Sequence, residues 1–254
     1  MRSAVLLVSA MAIGAIAGPF NRRYVVTRYE AVTVYLTAPT PAPSAPAPAP
    51  ETEPTPIPAP APVSAQSSDQ HKSGTKQQNL RDGPEYKAAM IYHHNAARAN
   101  HGANPLVWDE ECRKNAQINA ERCDFKHYIP EGAGQGQNLF VVSGDAFNAT
   151  AGVTESWYKG EFKEMTDNNL WGKADIPSEI FHAVGHLTAM LWKATTKVGC
   201  HTMDCGSSMT VGGSPSDMNK YTVCNYASAG NYGGEYAKNV GLPISKTKLG
   251  SWSD

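Results

Sequence analysis

A proline tract divides this chain before any fold can be considered. Eleven of its 18 prolines lie between Pro39 and Pro62, in a run reading APTPAPSAPAPAPETEPTPIPAPAPV over 38–63. Proline fixes φ and has no N–H to donate, so neither helix nor sheet can form there. An extended, polyproline-like spacer is expected, with Ser and Thr between the prolines suited to O-glycosylation. The polar stretch that follows, to residue 82, reads as flexible. A compact fold must therefore lie beyond it, and residues 84–254 are enough for one buried core.

What precedes the tract reads as export machinery. Arg2 supplies a basic start, an apolar run begins at Ala4, and Ala15-Ile16-Ala17 is a small-x-small cleavage site. The run is too short to span a bilayer. Residues 1–17 are thus expected to be a cleaved signal peptide, 18–37 a propeptide whose Arg22-Arg23 pair is either a convertase cleavage site or two ordinary surface charges, and 38–83 a Pro/Ala-rich disordered linker. Export favours disulfides, and the five cysteines, Cys112, Cys123, Cys200, Cys205 and Cys224, follow no zinc-ribbon spacing. Five is odd, so at least one thiol is free or pairs between chains. A net charge of −1 argues against nucleic acid, whose binding requires a basic surface.

Within 84–254, apolar spacing predicts helices over 85–100, 109–123, 149–159 and 178–194. Strands are expected at 197–203 and 219–227, where β-branched and aromatic residues gather, with a turn at Gly212-Gly213. Helices first and strands late suggest an α/β layered fold on an antiparallel sheet. No G-x-S-x-G elbow or H-E-x-x-H appears, and Thr188 is two residues from His186 on a predicted helix, which turns the two apart. The chain is not expected to be an enzyme. Asn148-Ala149-Thr150 is a glycosylation sequon, expected to carry a glycan on Asn148.

Four short stretches carry a resemblance: His94-Asn95-Ala96-Ala97-Arg98; Gly136-Gln137-Asn138-Leu139; Gly185-His186-Leu187-Thr188-Ala189-Met190-Leu191-Trp192; and Cys224-Asn225-Tyr226 with Gly230-Asn231-Tyr232. In this order and spacing they resemble the CAP superfamily of cysteine-rich secretory, antigen 5 and pathogenesis-related 1 proteins. The departures are Leu187 for an aromatic, Ser228 for proline, Gln137 for glutamate, and Gly160 where glutamate is usual three residues after Trp157. Glu161 follows directly and is taken as the functional match.

The resemblance implies an αβα sandwich and a solvent-open cleft holding two histidines and two acidic groups, here His127, Gln137, Glu161 and His186. No cofactor is required. With an amide at 137, only weak binding of a divalent metal, Zn or Mg, is expected. His182 falls one turn before His186, a spacing that would suit the cleft rim but more often marks a simply exposed histidine. By resemblance to fungal members, the function implied is sterol or fatty-acid binding and export, with host–microbe effector action. The lipid-contact loop would be 122–131, with Phe125, Tyr128, Ile129 and Pro130 as its apolar residues, and a fatty-acid groove would lie between 85–100 and 178–194. The alternatives are an extracellular protein-interaction module, or cell-wall-associated effector without lipid cargo, and a metal-assisted hydrolase. Expected partners are the lipid and a host or cell-wall component, with no transmembrane anchor. The resemblance also implies disulfides Cys123–Cys200 and Cys205–Cys224, with Cys112 free.

Overall fold

A computed structural model describes residues 71–254. The expected signal peptide, propeptide and nearly all of the linker lie outside those residues.

Helix α1 (Gly83–Ala99) starts where expected, with Pro84 in its first turn. Its buried residues Tyr86, Ala89, Met90, His93, His94, Ala97 and Arg98 fall three and four apart, on one face. Strand β1 (Val107–Trp108) leads into α2 (Glu110–Ala120), which is capped by Asp109 Oδ1 accepting from the Cys112 N–H at 2.9 Å. Strand β2 (Gly136–Val142) precedes one long helical stretch: α3 (Ala149–Ala151), a π-helical segment (Gly152–Gly160) and α4 (Glu161–Asp167). Then come α5 (Ser178–Phe181), α6 (Gly185–Leu191), β3 (Lys197–Asp204), the small hairpin β4 (Thr210–Val211) and β5 (Ser214–Pro215), β6 (Lys220–Ala227) and α7 (Tyr236–Asn239).

The main sheet runs β1-β3-β6-β2. The β2–β6 and β3–β6 pairs are antiparallel as expected, and the two-residue β1 adds one parallel pair to β3. Successive side chains point to opposite faces, and both faces are covered. Leu139, Val141, Tyr221 and Val223 pack with Ala116 and Ala120 of α2 in one cluster. Phe140, Val142, Cys224 and Tyr226 pack with α1, α6 and the 149–167 stretch in the other. This is the αβα sandwich. Two glycines permit the close approach of layers. An added Cβ on Gly199 of β3 would stand 2.2 Å from the Arg113 backbone nitrogen of α2, and one on Gly152 would stand 2.8 Å from the Phe140 ring.

Several expectations are corrected. β2 escapes the sequence patterns because its run NLFVV is apolar on both faces and shows no alternation. The fourth helix is not continuous over 178–194: Val184, at φ −140° and ψ 0°, breaks it before α6. Flexibility through residue 82 fails over 71–82, where Thr75–Asn79 forms a 3-10 turn with Gln77 buried. That turn is clasped to the C-terminal tail: Gly74 N–H donates to Ser253 O at 2.7 Å and Gln77 Nε2 to Asp254 O at 2.8 Å. The ring of His71 stacks on Tyr92 at 3.8 Å.

The disulfides are Cys123–Cys205 and Cys200–Cys224, not the pairs expected. Cys200 and Cys224 stand opposite in the β3–β6 register, so they bridge adjacent strands. Cys123, just past α2, then meets Cys205, just past β3. Cys112 is free and buried, and burial pushes its thiol up to about 12. Peptide mapping should recover the two observed bridges, with Cys112 alkylated only after unfolding. Alkylation of the native protein at Cys112 would contradict this packing.

Burial lowers His93 to about 3 and His94 to about 4. Both rings are bonded as neutral imidazoles: His93 Nε2 to Gln77 Oε1 at 2.8 Å, and His94 Nδ1 to Met90 O at 2.7 Å. The unfolded chain would bind two more protons than the folded one between these values and the ordinary histidine value near 6.5. Stability is therefore fully present above about pH 6.5 and falls as pH drops through that window. Urea unfolding at steps from neutral pH downward should show this loss, and His94→Gln should flatten it. An unchanged midpoint in wild type would refute the neutral assignment.

Candidate functional site

The cleft is built from two hydrogen-bonded pairs. In the first, His127 Nδ1 faces Gln137 Oε1 at 3.1 Å. In the second, His186 Nδ1 faces Glu161 Oε1 at 2.5 Å. The pairs are near each other: the pKa of His127 is lowered chiefly by desolvation, the Gln137 bond opposes that, and the neighbouring His186 adds a smaller lowering. His127 itself is exposed to solvent, whereas His186 is largely covered and Glu161 almost wholly so.

Glu161 is placed by the π-helical segment. Its i→i+5 bonding takes an extra residue per turn, which accommodates Gly160 and leaves Glu161, four residues after Trp157, on the cleft side. The Trp157 ring stacks on His186 with centroids 6.1 Å apart and 13° between planes. The second carboxylate oxygen accepts from the Leu187 backbone N–H at 2.7 Å. In a helix continuous from 178 that N–H would bond to the carbonyl four residues earlier. The break at Val184 releases it, and the buried carboxylate takes its place at the start of α6.

Gln137 sits in a network of neutral amides that sequence reasoning missed. Its Oε1 also accepts from Asn119 Nδ2 at 3.0 Å and Tyr128 N–H at 3.2 Å. Its Nε2 donates to Tyr128 O and Asn225 Oδ1, both at 2.9 Å. Asn225 Nδ2 and Asn115 Nδ2 both donate to Gln135 Oε1. Asn115, Asn119, Gln135 and Asn225 are all buried. Gln137 and Asn225 stand in the quoted motifs, and Asn115 and Asn119 are one helical turn apart; nothing in the sequence joined them.

The remaining motif residues hold the frame. Tyr226 hydroxyl joins His94 Nε2 at 2.9 Å and accepts from Asn138 Nδ2 at 3.1 Å, and Asn138 Nδ2 also donates to His186 O at 3.0 Å. Arg98 is fully buried, and its guanidinium donates to the carbonyls of Asn104, Met190, Trp192 and Thr195 at 2.7–3.0 Å. Asn231 Nδ2 donates to Gly185 O at 2.9 Å.

These contacts test the cleft as a metal centre. Each imidazole is backed at Nδ1 by an oxygen, which directs its lone pair to Nε2, the usual arrangement behind a metal-binding histidine. Both Glu161 oxygens are engaged, however, and the Gln137 amide is used at both ends. Two donors, His127 and His186, do not make the three protein ligands of a catalytic zinc site. Among the described residues no group of three His, Cys, Asp or Glu could hold a metal ion.

The expected lipid loop is narrowed. Phe125 is buried beside Tyr221, with ring centroids 5.9 Å apart, so it belongs to the core and not to a contact surface. Tyr128 is 39% exposed, with the Arg122 guanidinium 4.3 Å from its ring centre. Ile129 and Pro130 are half-buried. On the other side, Phe181 is exposed and lies over Gly185, next to His186. His182 is exposed near this rim. Thr188 is buried, and its hydroxyl donates to Val184 O at 3.0 Å, so it is no nucleophile. Asn148 is half-buried, with its Nδ2 3.4 Å from Ala146 O.

Among the described residues no helix is long and apolar enough to cross a membrane. The sequence profile of the cysteine-rich secretory protein family, CAP, matches residues 91–226. A probable pathogenesis-related protein of Arthroderma benhamiae is 41% identical over 165 residues, 63% of this chain and 50% of that protein. Pathogenesis-related protein PR-1 of Medicago truncatula is 31% identical over 154 residues, 59% of this chain and 78% of that one. Among solved structures, NaASP2 with Zn2+ is 28% identical and covers 65% of this chain and 90% of its own, at a TM-score of 0.49. The match thus spans half the length of the Arthroderma relative. With its motifs joined in one frame and its profile matched over more than half its length, the chain belongs to the CAP, or cysteine-rich secretory protein, family.

Proposed function

We propose that this is a secreted, non-catalytic CAP protein that binds a sterol or fatty acid at the cleft rim. The observation that carries the reading is the pairing of a hydrogen-bonded polar floor with apolar groups at its rim. The exposed Tyr128 and the half-buried Ile129 and Pro130 follow His127 in the chain, and the exposed Phe181 lies over Gly185 beside His186. Ligand sites of this kind bind by apolar contact and orient their ligand through a few polar groups. A sterol hydroxyl or a fatty-acid carboxyl would meet the histidines, and its hydrocarbon would lie on the rim. Neither relative named above carries the name of an enzyme, and the buried, bonded Thr188 further supports a binding role.

The test is saturable binding of radiolabelled ergosterol and palmitate by the secreted chain. Tyr128→Ser should weaken binding by about tenfold, from the loss of one large aromatic contact. His186→Ala should leave most of it. Absence of saturable binding, or full binding by Tyr128→Ser, would refute the proposal.

Weak divalent-metal binding at the two histidines belongs to the same proposal. Calorimetric titration with zinc should give weak binding to wild type and weaker binding to His186→Ala. Gln137→Glu should bind more tightly, since it adds a negative charge near the ion. The same change sets a carboxylate oxygen against Tyr128 O and Asn225 Oδ1, so it should cost about 1–3 kcal/mol of stability. Tight zinc binding by wild type with no gain from Gln137→Glu would mean that Glu161 turns away from His186 to become a ligand.

A further inference from the structure

The two most exposed large apolar side chains among the described residues are neither in the cleft nor beside it in sequence. They are Leu242, 65% exposed, and Ile244, 79% exposed, just past α7. Exposure alternates along this segment: Leu242, Ile244 and Lys246 face solvent, while Gly241, Pro243 and Ser245 are half-buried. The chain is held in that attitude. Asn100 O accepts from Ile244 N–H at 2.8 Å. The Asn100 side chain brackets Ser245, donating to its carbonyl at 2.8 Å and accepting from its N–H at 2.7 Å. His101 Nδ1 donates to Gly241 O at 2.7 Å. An added Cβ on Gly241 would stand 2.0 Å from His101 O. Leu242 and Ile244 therefore cannot swing inward to join the core.

The segment that carries them is basic, with acids at its far end: Glu155, which accepts from the Trp252 N–H at 3.3 Å, and Asp254. Residues 236–253 contain Lys238, Lys246 and Lys248 and no Asp or Glu. All three lysines are exposed, as is Lys193, whose stem reaches Gly241. Among the described residues no ion pair joins any of these four lysines to a carboxylate. Glu235, the adjoining acid, is turned toward Asn239 Nδ2 at 3.4 Å.

We infer that Leu242 and Ile244, with Lys193 against Gly241 and the exposed Lys238, Lys246 and Lys248 within six residues along the chain, form a docking face for an anionic lipid bilayer. Charge complementarity selects that occupant. Lysines at an anionic surface gain from its potential, and two rigidly presented aliphatic groups gain only where there is hydrocarbon to enter. A soluble polyanion would satisfy the lysines and leave the aliphatic pair in water. With a net charge of −1 for the whole chain, attraction depends on this local patch. The inference does not depend on cargo in the cleft.

The experiment is co-sedimentation of the full secreted chain with phosphatidylcholine vesicles, with and without phosphatidylserine. Wild type should partition at least about tenfold more strongly into the anionic vesicles, and added salt should reduce this. The double variant Leu242→Ser/Ile244→Ser should lose about tenfold of that partition. Its unfolding midpoint and sterol binding should be unchanged, because both side chains already face water. Lys246→Glu/Lys248→Glu should abolish the preference for anionic lipid. Equal partition into both vesicles, or no partition into either, would overturn the inference. So would wild-type partition by the serine variant, which would make the face a simple polyanion site.

Discussion

Helix α6 is only seven residues long, and it is held at both ends by buried charges of the sign its dipole prefers. Glu161 accepts from a backbone N–H of its first turn, and Arg98 donates to carbonyls at its last. Neither charge could be buried so deeply without partners, because desolvating an ion costs several kcal/mol. Here each charge is matched by backbone groups that a short helix would otherwise leave unsatisfied. The arrangement links α1, through Arg98, and α4, through Glu161, to one element. His186 rides on that element, so the position of the cleft imidazole follows from core electrostatics and not from the cleft itself.

The opposite wall follows a different rule. Gln137, Asn119, Asn225, Gln135 and Asn115 form a floor of hydrogen-bonded neutral amides, in which the buried Asn119 Oδ1 is left without a partner. Such networks are rigid when satisfied and expensive when one member is wrong. A carboxylate at 137 would reverse one donor in that floor. The glutamine is therefore more than a glutamate with its charge removed. It is the residue whose hydrogen-bonding pattern this floor fits.

Much of the frame was legible in the sequence. The three- and four-residue spacing of the α1 core is visible by eye, and four short motifs identified the fold because their residues meet in it: His94, Asn138 and Tyr226 join in a single hydrogen-bonded chain. What stayed hidden depends on distance in space. The disulfide pairing follows from the β3–β6 register, and no local pattern encodes register. The break before α6 falls at Val184 and is matched by a carboxylate arriving from residue 161, while the local sequence reads as helix throughout. β2 was hidden because a strand covered on both faces loses its alternation. Phe125 resembled a contact residue until Tyr221 was found beneath it. The turn at 75–79 looked like linker because the group it buries is a glutamine, and the histidine that receives it, His93, carries no signal of its own.

The clasp between residues 74–77 and 253–254 bears on how the domain would carry load. The segment that enters at residue 71 and the tail that leaves after α7 meet at one corner, joined by a few polar contacts and one stacked ring pair. Tension applied through the preceding chain would reach this corner first. Hydrogen bonds there would break in succession, as a seam opens, before strain reached the sheet with its cross-strand sulfur bridge. The corner would act as a mechanical fuse. A domain pulled from its N-terminal side would yield at its margin and keep its cleft in shape.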